Sequence, residues 1–118
     1  MKFSNNIFED GRIIAINELI MQPLPVKESY KLMKLAKELK EKEDVYRGAK
    51  LAIFKKYGKE KKNKTIEISK KNQEKAMEEI NELLAMEEEY SIEGKILLPA
   101  EVKLSAKQIM LLEDIIQI

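Results

Sequence analysis

The stretch that decides the fold is PVKESYKLMKLAKELKEKEDVYRGAKLAIFKKY, residues 25–57, which contains no proline after Pro25 and one internal glycine, Gly48. Pro25 suits the first position of a helix, because the N–H that proline lacks would have no helical partner there. The stretch predicts one continuous helix. At 1.5 Å per residue, about 33 residues form a rod of roughly 50 Å, and such a rod needs other elements beside it to bury its apolar side chains.

An apolar seam follows the predicted helix with a period of seven residues. Such a 3.5-residue period favours slightly supercoiled packing against another helix. Lysines interrupt the seam twice, but their long stems can lie on apolar surface while the charge reaches water. The seam positions are Leu32, Leu39, Tyr46 and Ile53, each followed three residues later by Leu35, Lys42, Ala49 and Lys56 respectively.

A second helical pattern, from about residue 70 to 88, presents apolar side chains at spacings of three and four. Tyr57 and Gly58 separate the two patterns, and glycine is common just after the end of a helix. The sequence therefore predicts an antiparallel helical hairpin. The expected contacts between its two helices join Leu39, Tyr46 and Ile53 to Met77, Ile80 and Leu84.

Short helices are predicted at both ends of the chain. Residues 5–22 read as a helix ending near Met21, because the prolines that follow disfavour helix; a β-hairpin turning at Asp10 and Gly11 is the alternative. In LSAKQIMLLEDIIQI, residues 104–118, Ser105 and Gln108 have the spacing of a capping box and predict the start of a terminal helix.

Two segments have β character. Residues 65–69, TIEIS, alternate apolar and polar side chains, and residues 95–104 are a candidate partner, although Pro99 restricts that segment to an edge or splits it. The predicted fold is therefore a single domain, residues 1–118, of mainly α class. It comprises the long antiparallel helical hairpin and the short terminal helices, with a small β element near residues 65–69 and 95–104 left open.

The composition excludes several classes of protein. The 118-residue chain carries 22 basic and 21 acidic side chains, a net charge of +1, so no polyanionic partner is demanded. It has no cysteine and no histidine, which removes disulfides, thiol nucleophiles and cysteine-based zinc sites and fits a reducing compartment. Apolar runs such as IIAI are far shorter than the roughly 20 residues of a membrane span, and we expect no membrane association.

Catalysis is not predicted. The serines are isolated, and no glycine-rich phosphate loop is present. The acidic residues of positions 78–93 would be spread around a helix surface, where they are typical of an exposed face rather than of a metal site. We therefore expect a protein that is not an enzyme and that needs neither a cofactor nor a metal.

A lysine-rich segment lies where the two predicted helices join. It could contact phosphate groups or a partner, or it could be a solvated tip with lysines placed favourably at the negative end of a helix. Arginine is absent from the segment, and one tyrosine offers little base stacking, which favours the solvated tip. The candidate contacts are Lys55, Lys56, Tyr57, Lys59, Lys61, Lys62 and Lys64, continued by Lys70 and Lys71.

The terminal helix is almost wholly apolar and predicts a buried position. Either it docks onto the first helix and the base of the hairpin, or it is buried between subunits. The candidate oligomer interface consists of Ile109, Leu112, Ile115 and Ile116.

Three stretches carry a resemblance to a known family: LPVKESYKLMKLAKELKEKEDVY (24–46), AIFKKYGK (52–59) and EEINELLAMEEEYSIEGKILLPAEVKLSAKQIMLLE (78–113). In this order they resemble small helical-hairpin proteins encoded by phages and prophages of Gram-positive bacteria, a family without an assigned activity. The resemblance covers residues 24–116. Around residues 59–64 the chain departs from it, being richer in lysine.

The resemblance implies a phage-encoded protein located in the host cytoplasm or in the virion. The leading hypothesis is a non-enzymatic protein that acts as an oligomer. It binds a protein partner stoichiometrically and interferes with a host process such as a defence system. One alternative is a structural component of the virion or its assembly. Another is that the lysine-rich tip binds nucleic acid or a signalling nucleotide.

Overall fold

A computed structural model describes residues 1–63 and 65–118 and measures 51 × 26 × 23 Å along its principal axes. The described residues are mainly helical, which confirms the predicted class, the long helix and the presence of small β elements. None of the described helices combines the length and the apolar character that a bilayer crossing requires. In chain order the elements are β1 (Lys2–Ser4), a 3-10 turn (Asn5–Phe8), α1 (Arg12–Ile20), α2 (Val26–Tyr57), β2 (Gly58–Glu60), β3 (Ile66–Ile68), α3 (Lys70–Ala85), β4 (Glu87–Glu89), β5 (Ile96–Leu97), α4 (Ala106–Leu112) and β6 (Ile116–Gln117).

Helix α2 has nearly the predicted bounds, because both of its ends carry favourable signals. Glu28 lies in the first turn, where the helix macrodipole is positive, and Lys55 and Lys56 lie in the last turn, where it is negative. Gly58 follows the helix in an extended conformation, and its N–H donates to the carbonyl of Phe54. The helix ends at the lysine-rich segment because Gly58 leaves the helical conformation there, and the two lysines stabilise this end.

The seam of α2 is buried as predicted, but much of it packs on elements other than α3. Leu32, Leu35, Leu39 and Tyr46 all lie in the core. Leu39 shares a groove with side chains of α1, and Tyr46 stacks on Phe8 of the 3-10 turn with ring centroids 5.2 Å apart. The sequence did not predict these two contacts, and the expected contacts of Leu39 and Tyr46 with α3 stay a prediction. A heptad pattern states which side of a helix is buried and not what covers it.

Helix α3 contacts α2 and is too short to cover it. Its 16 residues span about 24 Å, against about 48 Å for the 32 residues of α2. It ends at Ala85 rather than at Glu88 as predicted. Ile80 is buried, but Met77 is 54% exposed and lies outside the hydrophobic core, so it is not the buried seam residue that the sequence predicted.

The chain after α3 forms a strand that the sequence did not predict. Strand β4, three consecutive glutamates, pairs antiparallel with β1 in the register Lys2↔Glu89 and Ser4↔Glu87. This pair ties the N-terminal residues to the end of α3. Three exposed glutamates show no apolar alternation, and therefore give no strand signal.

The turn at Asp10 and Gly11 leads into α1 rather than joining two strands. Both residues have positive φ, 60° and 80° respectively, and Asp10 is one of the few residue types besides glycine that adopt this left-handed conformation readily. The alternative of a β-hairpin at this turn is wrong. The predicted end of the first helix near Met21 agrees with α1, which ends at Ile20, but α1 begins only at Arg12, after this turn.

The two predicted β segments form strands, but they do not pair with each other. Strand β3 pairs antiparallel with β2, while β5 pairs parallel with β6. At Gly58 in β2, a Cβ atom would lie 2.5 Å from Cγ2 of Ile66 and 2.8 Å from the carbonyl oxygen of Phe54. The close approach of β2 to its neighbours therefore requires glycine.

Helix α4 begins with the predicted capping box. The Ser105 hydroxyl accepts from the Gln108 N–H at 3.1 Å, and the Gln108 side chain accepts from the Ser105 N–H at 2.8 Å. The helix ends at Leu112, earlier than predicted, and the chain continues into β6.

The predicted oligomer interface lies mostly inside the chain itself. Leu112, Ile115 and Ile116 belong to the core of the single chain, so they are unavailable to a second copy, and the prediction is wrong at these three residues. Ile109 is half-buried. The apolar C-terminal segment thus follows the other predicted course, which is docking within the chain.

Tyr90 joins the β1–β4 pair to α2. Its ring lies 5.4 Å from that of Phe3, centroid to centroid, and the Lys42 ammonium lies 4.4 Å from the Tyr90 centroid. Burial, followed by the charges of Glu88 and Glu38, raises the pKa of the Tyr90 hydroxyl to about 12. The folded state therefore disfavours the tyrosinate anion.

We expect the free energy of unfolding to fall as pH rises from about 10 to about 12, partly through Tyr90. The unfolded chain releases this proton near its ordinary pKa of about 10, whereas the folded chain holds it until about 12, so the folded state binds more protons in this window. Below pH 10 this contribution is constant. Urea unfolding at pH 8, 10 and 11 measures the slope, which Tyr90→Phe should reduce.

Tyr30→Phe is the matched control, because the Tyr30 side chain is 63% exposed. It should keep the wild-type dependence of stability on pH. A Tyr90→Phe variant with the wild-type slope would contradict the role given to this hydroxyl.

Candidate binding surfaces

The lysine-rich tip is built from the end of α2, the β2–β3 pair and the start of α3. Two of its predicted contact residues are neutralised. Lys56 Nζ lies 2.9 Å from the Glu79 carboxylate, and Lys61 forms an ion pair with Glu67. The hydrogen bond to Glu79 raises the pKa of Lys56, and the bond to Lys61 lowers the pKa of Glu67. The tip is therefore less basic than its sequence indicates.

Three further predicted residues remain available at the tip. Lys55, Lys59 and Lys62 are exposed and make no ion pair within residues 1–63 and 65–118. Tyr57 is half-buried, with the Lys56 ammonium 5.1 Å from its ring centroid. Lys64 lies outside the described residues. Contact between these side chains and phosphate stays a prediction.

A groove of about 450 Å³ lies between α1 and α2. Its apolar part is formed by Ile13 and Ile16 of α1 with Ala36 and Leu39 of α2. The spacing of three residues on each helix places each pair on one face. The sequence indicated that both helices have an apolar side, but only their crossing forms the groove.

The polar rim of this groove carries two lysines, one glutamate and Asn17. Lys37 and Lys40 line it, both are exposed, and neither forms an ion pair within the described part of the chain. Glu43 also lines it, but its carboxylate is 3.6 Å from the Arg47 guanidinium. Two lysine charges therefore face solvent beside an apolar floor.

The outward face of distal α2 is unusually flat. Gly48, Leu51, Ala52 and Lys55 lie at spacings of three and four and are all exposed. Leu51 is 46% exposed, and a Cβ at Gly48 would meet no atom within 4 Å. This distal α2 face combines small side chains with one large apolar one.

The exposed side of α3 carries both charges, Lys70, Lys71 and Lys75 as well as Glu74, Glu78 and Glu82, but the charged side chains next to Met77 are acidic. Glu74 and Glu78 flank the exposed Met77, and neither carboxylate forms an ion pair among the residues that the structure describes. We call these three residues the acidic α3 face. In the described residues no group of three or more acidic side chains is arranged to hold a metal ion.

A charged cluster surrounds Tyr46 at the centre of the molecule. Glu9 pairs with Lys50 at 3.1 Å and with Arg47 at 3.8 Å, and the Tyr46 ring stacks on Phe8. Burial, followed by the neighbouring Glu9 carboxylate, raises the pKa of the Tyr46 hydroxyl. The charges satisfy one another, so the cluster serves to attach the 3-10 turn to α2.

Comparison with known proteins identifies no relative, so a function is argued from the surfaces of the fold. No protein-family model matches the chain, and no match was found among curated proteins or among solved structures. Three surfaces therefore carry the functional argument: the tip, the groove between α1 and α2, and the distal α2 face. Of these three surfaces, the sequence singled out only the tip. Its lysines are close together in the sequence, whereas the residues of the other two surfaces are brought together only by folding.

Proposed function

We propose that this chain is a phage-encoded, non-enzymatic protein that binds a host protein stoichiometrically and thereby interferes with a host process such as a defence system. The resemblance of residues 24–116 to phage and prophage proteins supports the origin. Binding, rather than catalysis, is supported by the open surfaces of α2. The distal α2 face carries the proposal.

In this proposal α2 and α3 act as an antiparallel helical hairpin that presents the binding surface. The Asn72 side chain donates to the Tyr57 carbonyl at 3.2 Å, at the tip, and the antiparallel β2–β3 pair reverses the chain there. Further along, Leu83 of α3 shares a cavity with Tyr46 of α2. These contacts support a hairpin over the distal half of α2.

The arm, residues 47–82, extends beyond the main core. Among its described residues only Ala76 and Ile80 are buried. An arm with so little core of its own contributes little to stability through burial. An arm that adds little to stability but exposes much of its surface is suited to contact a partner.

Small side chains on the distal α2 face favour a protein partner. Glycine in the middle of an exposed helix costs about 1 kcal/mol relative to alanine, and nothing in the described chain packs on Gly48 in return. Ala52 lies one turn away from Gly48. Because both positions lack a large side chain, the backbone of another helix can approach closely, as in ridge-and-groove packing. Leu51 then supplies an apolar anchor.

We expect Gly48→Gln to weaken capture of the partner strongly while stabilising the chain. Glutamine is a better helix former than glycine, so the free energy of unfolding should rise by about 0.5 kcal/mol. Its side chain would block close approach, so capture should fall at least about tenfold, which corresponds to about 1.4 kcal/mol. The immobilised chain is incubated with lysate of a phage-infected Gram-positive host, and the stoichiometry of capture is read from stained gels.

Lys34→Gln is the control, since Lys34 is exposed on the proximal half of α2; it should capture the partner as the wild type does. Undiminished capture by Gly48→Gln would overturn the distal α2 face as the interface. Capture of virion proteins alone would overturn host interference in favour of the architectural alternative. If the chain retained only nucleic acid, and retention weakened with salt, the alternative that the lysine-rich tip binds nucleic acid would be favoured.

A further inference from the structure

We propose that the groove between α1 and α2 binds the acidic α3 face of a second copy of this chain. Met77 of one copy would enter the apolar floor, while Glu74 and Glu78 would meet Lys37 and Lys40 of the other. This interface is independent of the distal α2 face and of any host partner. It replaces the C-terminal interface, whose apolar residues are buried within the chain.

Shape and polarity of the groove fit a single helix carrying one apolar side chain. The floor formed by Ile13, Ile16 and Leu39 is apolar, and burying a methionine side chain on such a floor is favourable. Methionine is flexible enough to fit an irregular groove. A helix laid into a groove between two others is a common mode of recognition.

The charges of the two surfaces are complementary. Lys37 and Lys40 are three residues apart on α2, and Glu74 and Glu78 are four residues apart on α3, so each pair consists of neighbours about 5–6 Å apart on its helix. All four side chains are exposed. Glutamates of one copy can therefore satisfy lysines of the other without either helix changing shape.

Contact between these surfaces within one chain is prevented by the fold. Helix α3 lies along the distal half of α2, where Glu79 pairs with Lys56. The groove lies on the proximal half, at residues 36–43, beside α1. The two surfaces can therefore meet only between copies.

The contact joins two different surfaces. Two copies can exchange it in a closed dimer, or it can repeat from copy to copy in a ring or an open chain. Much of the attraction is between exposed charges, which salt screens over about 10 Å at 0.1 M ionic strength. Assembly should consequently depend on both protein concentration and salt.

The test uses charge reversal followed by static light scattering. At about 50 mM salt, the mass of the wild type should rise at least about twofold over the 13.7 kDa chain as concentration increases, and should fall again at about 500 mM. K37E/K40E and E74K/E78K should each remain monomeric when alone. An equimolar mixture of the two, or the chain carrying all four changes, should regain assembly.

K27E/K103E is the matched control, because it also reverses two exposed lysines and leaves the proposed interface intact; it should assemble as the wild type does. Circular dichroism verifies the fold of each variant. A wild type that stays monomeric at low salt would overturn the proposal. So would assembly by either single-surface variant alone, or a mixture that fails to associate.

Discussion

Leu35→Ala is expected to lower the free energy of unfolding by about 3 kcal/mol, the range for deletion of a buried leucine side chain being about 2–5 kcal/mol. Leu35 is fully buried in the core cluster. The substitution removes apolar contacts and leaves a cavity that a close-packed core cannot fill completely. Urea denaturation followed by circular dichroism measures the change.

Met33→Ala is the control on the same helix, because the Met33 side chain is 61% exposed. It should change stability by less than about 0.5 kcal/mol. If Leu35→Ala cost as little as Met33→Ala, the burial of the α2 seam described above would be wrong.

Glu28→Ala should destabilise the fold by about 2 kcal/mol, within the range for hydrogen bonds to charged groups. Glu28 is buried, and its carboxylate accepts from the Leu97 N–H at 2.9 Å and lies 3.5 Å from Lys31 Nζ. Alanine would leave the Leu97 N–H without this partner and would remove a negative charge from the first turn of α2. The side chain therefore fastens β5 to the start of the long helix.

Glu28→Gln separates the hydrogen bond from the charge, since the amide oxygen can still accept from Leu97. We expect it to cost about 1 kcal/mol, roughly half the effect of alanine. Hydrogen exchange at the Leu97 amide should accelerate in Glu28→Ala and change little in Glu28→Gln. Equal losses of stability in the two variants would contradict the role of the Leu97 hydrogen bond.

Local signals predicted the helices well, because their causes lie within a few residues. The absence of proline after Pro25 and the charges at both ends of α2 give its bounds, and Ser105 with Gln108 gives the start of α4. The prediction of the Lys56 environment was less successful. A run of lysines is visible in the sequence, whereas Glu79, which neutralises one of them, lies 23 residues away.

Strand pairing and the partners of the seam could not be predicted from the sequence. Apart from the alternation in residues 65–69, the strands of two or three residues are too short to show a period-two pattern, and the glutamates of β4 resemble a helix surface. Leu39 and Tyr46 were identified as buried, but their neighbours, Ile16 and Phe8, lie 23 and 38 residues earlier respectively. Neither the groove nor the acidic α3 face is visible until these segments are packed.

The sequence by itself determined a mainly helical chain organised around one long helix, because helix formation depends on propensity, periodicity and end signals that are all local. Only the tertiary structure decided that Met77 faces solvent, that the C-terminal isoleucines enter the core and that two lysines border an apolar groove. The reason is physical. Burial requires apolar surface, which many segments offer, and the choice among them depends on the geometry of the whole fold.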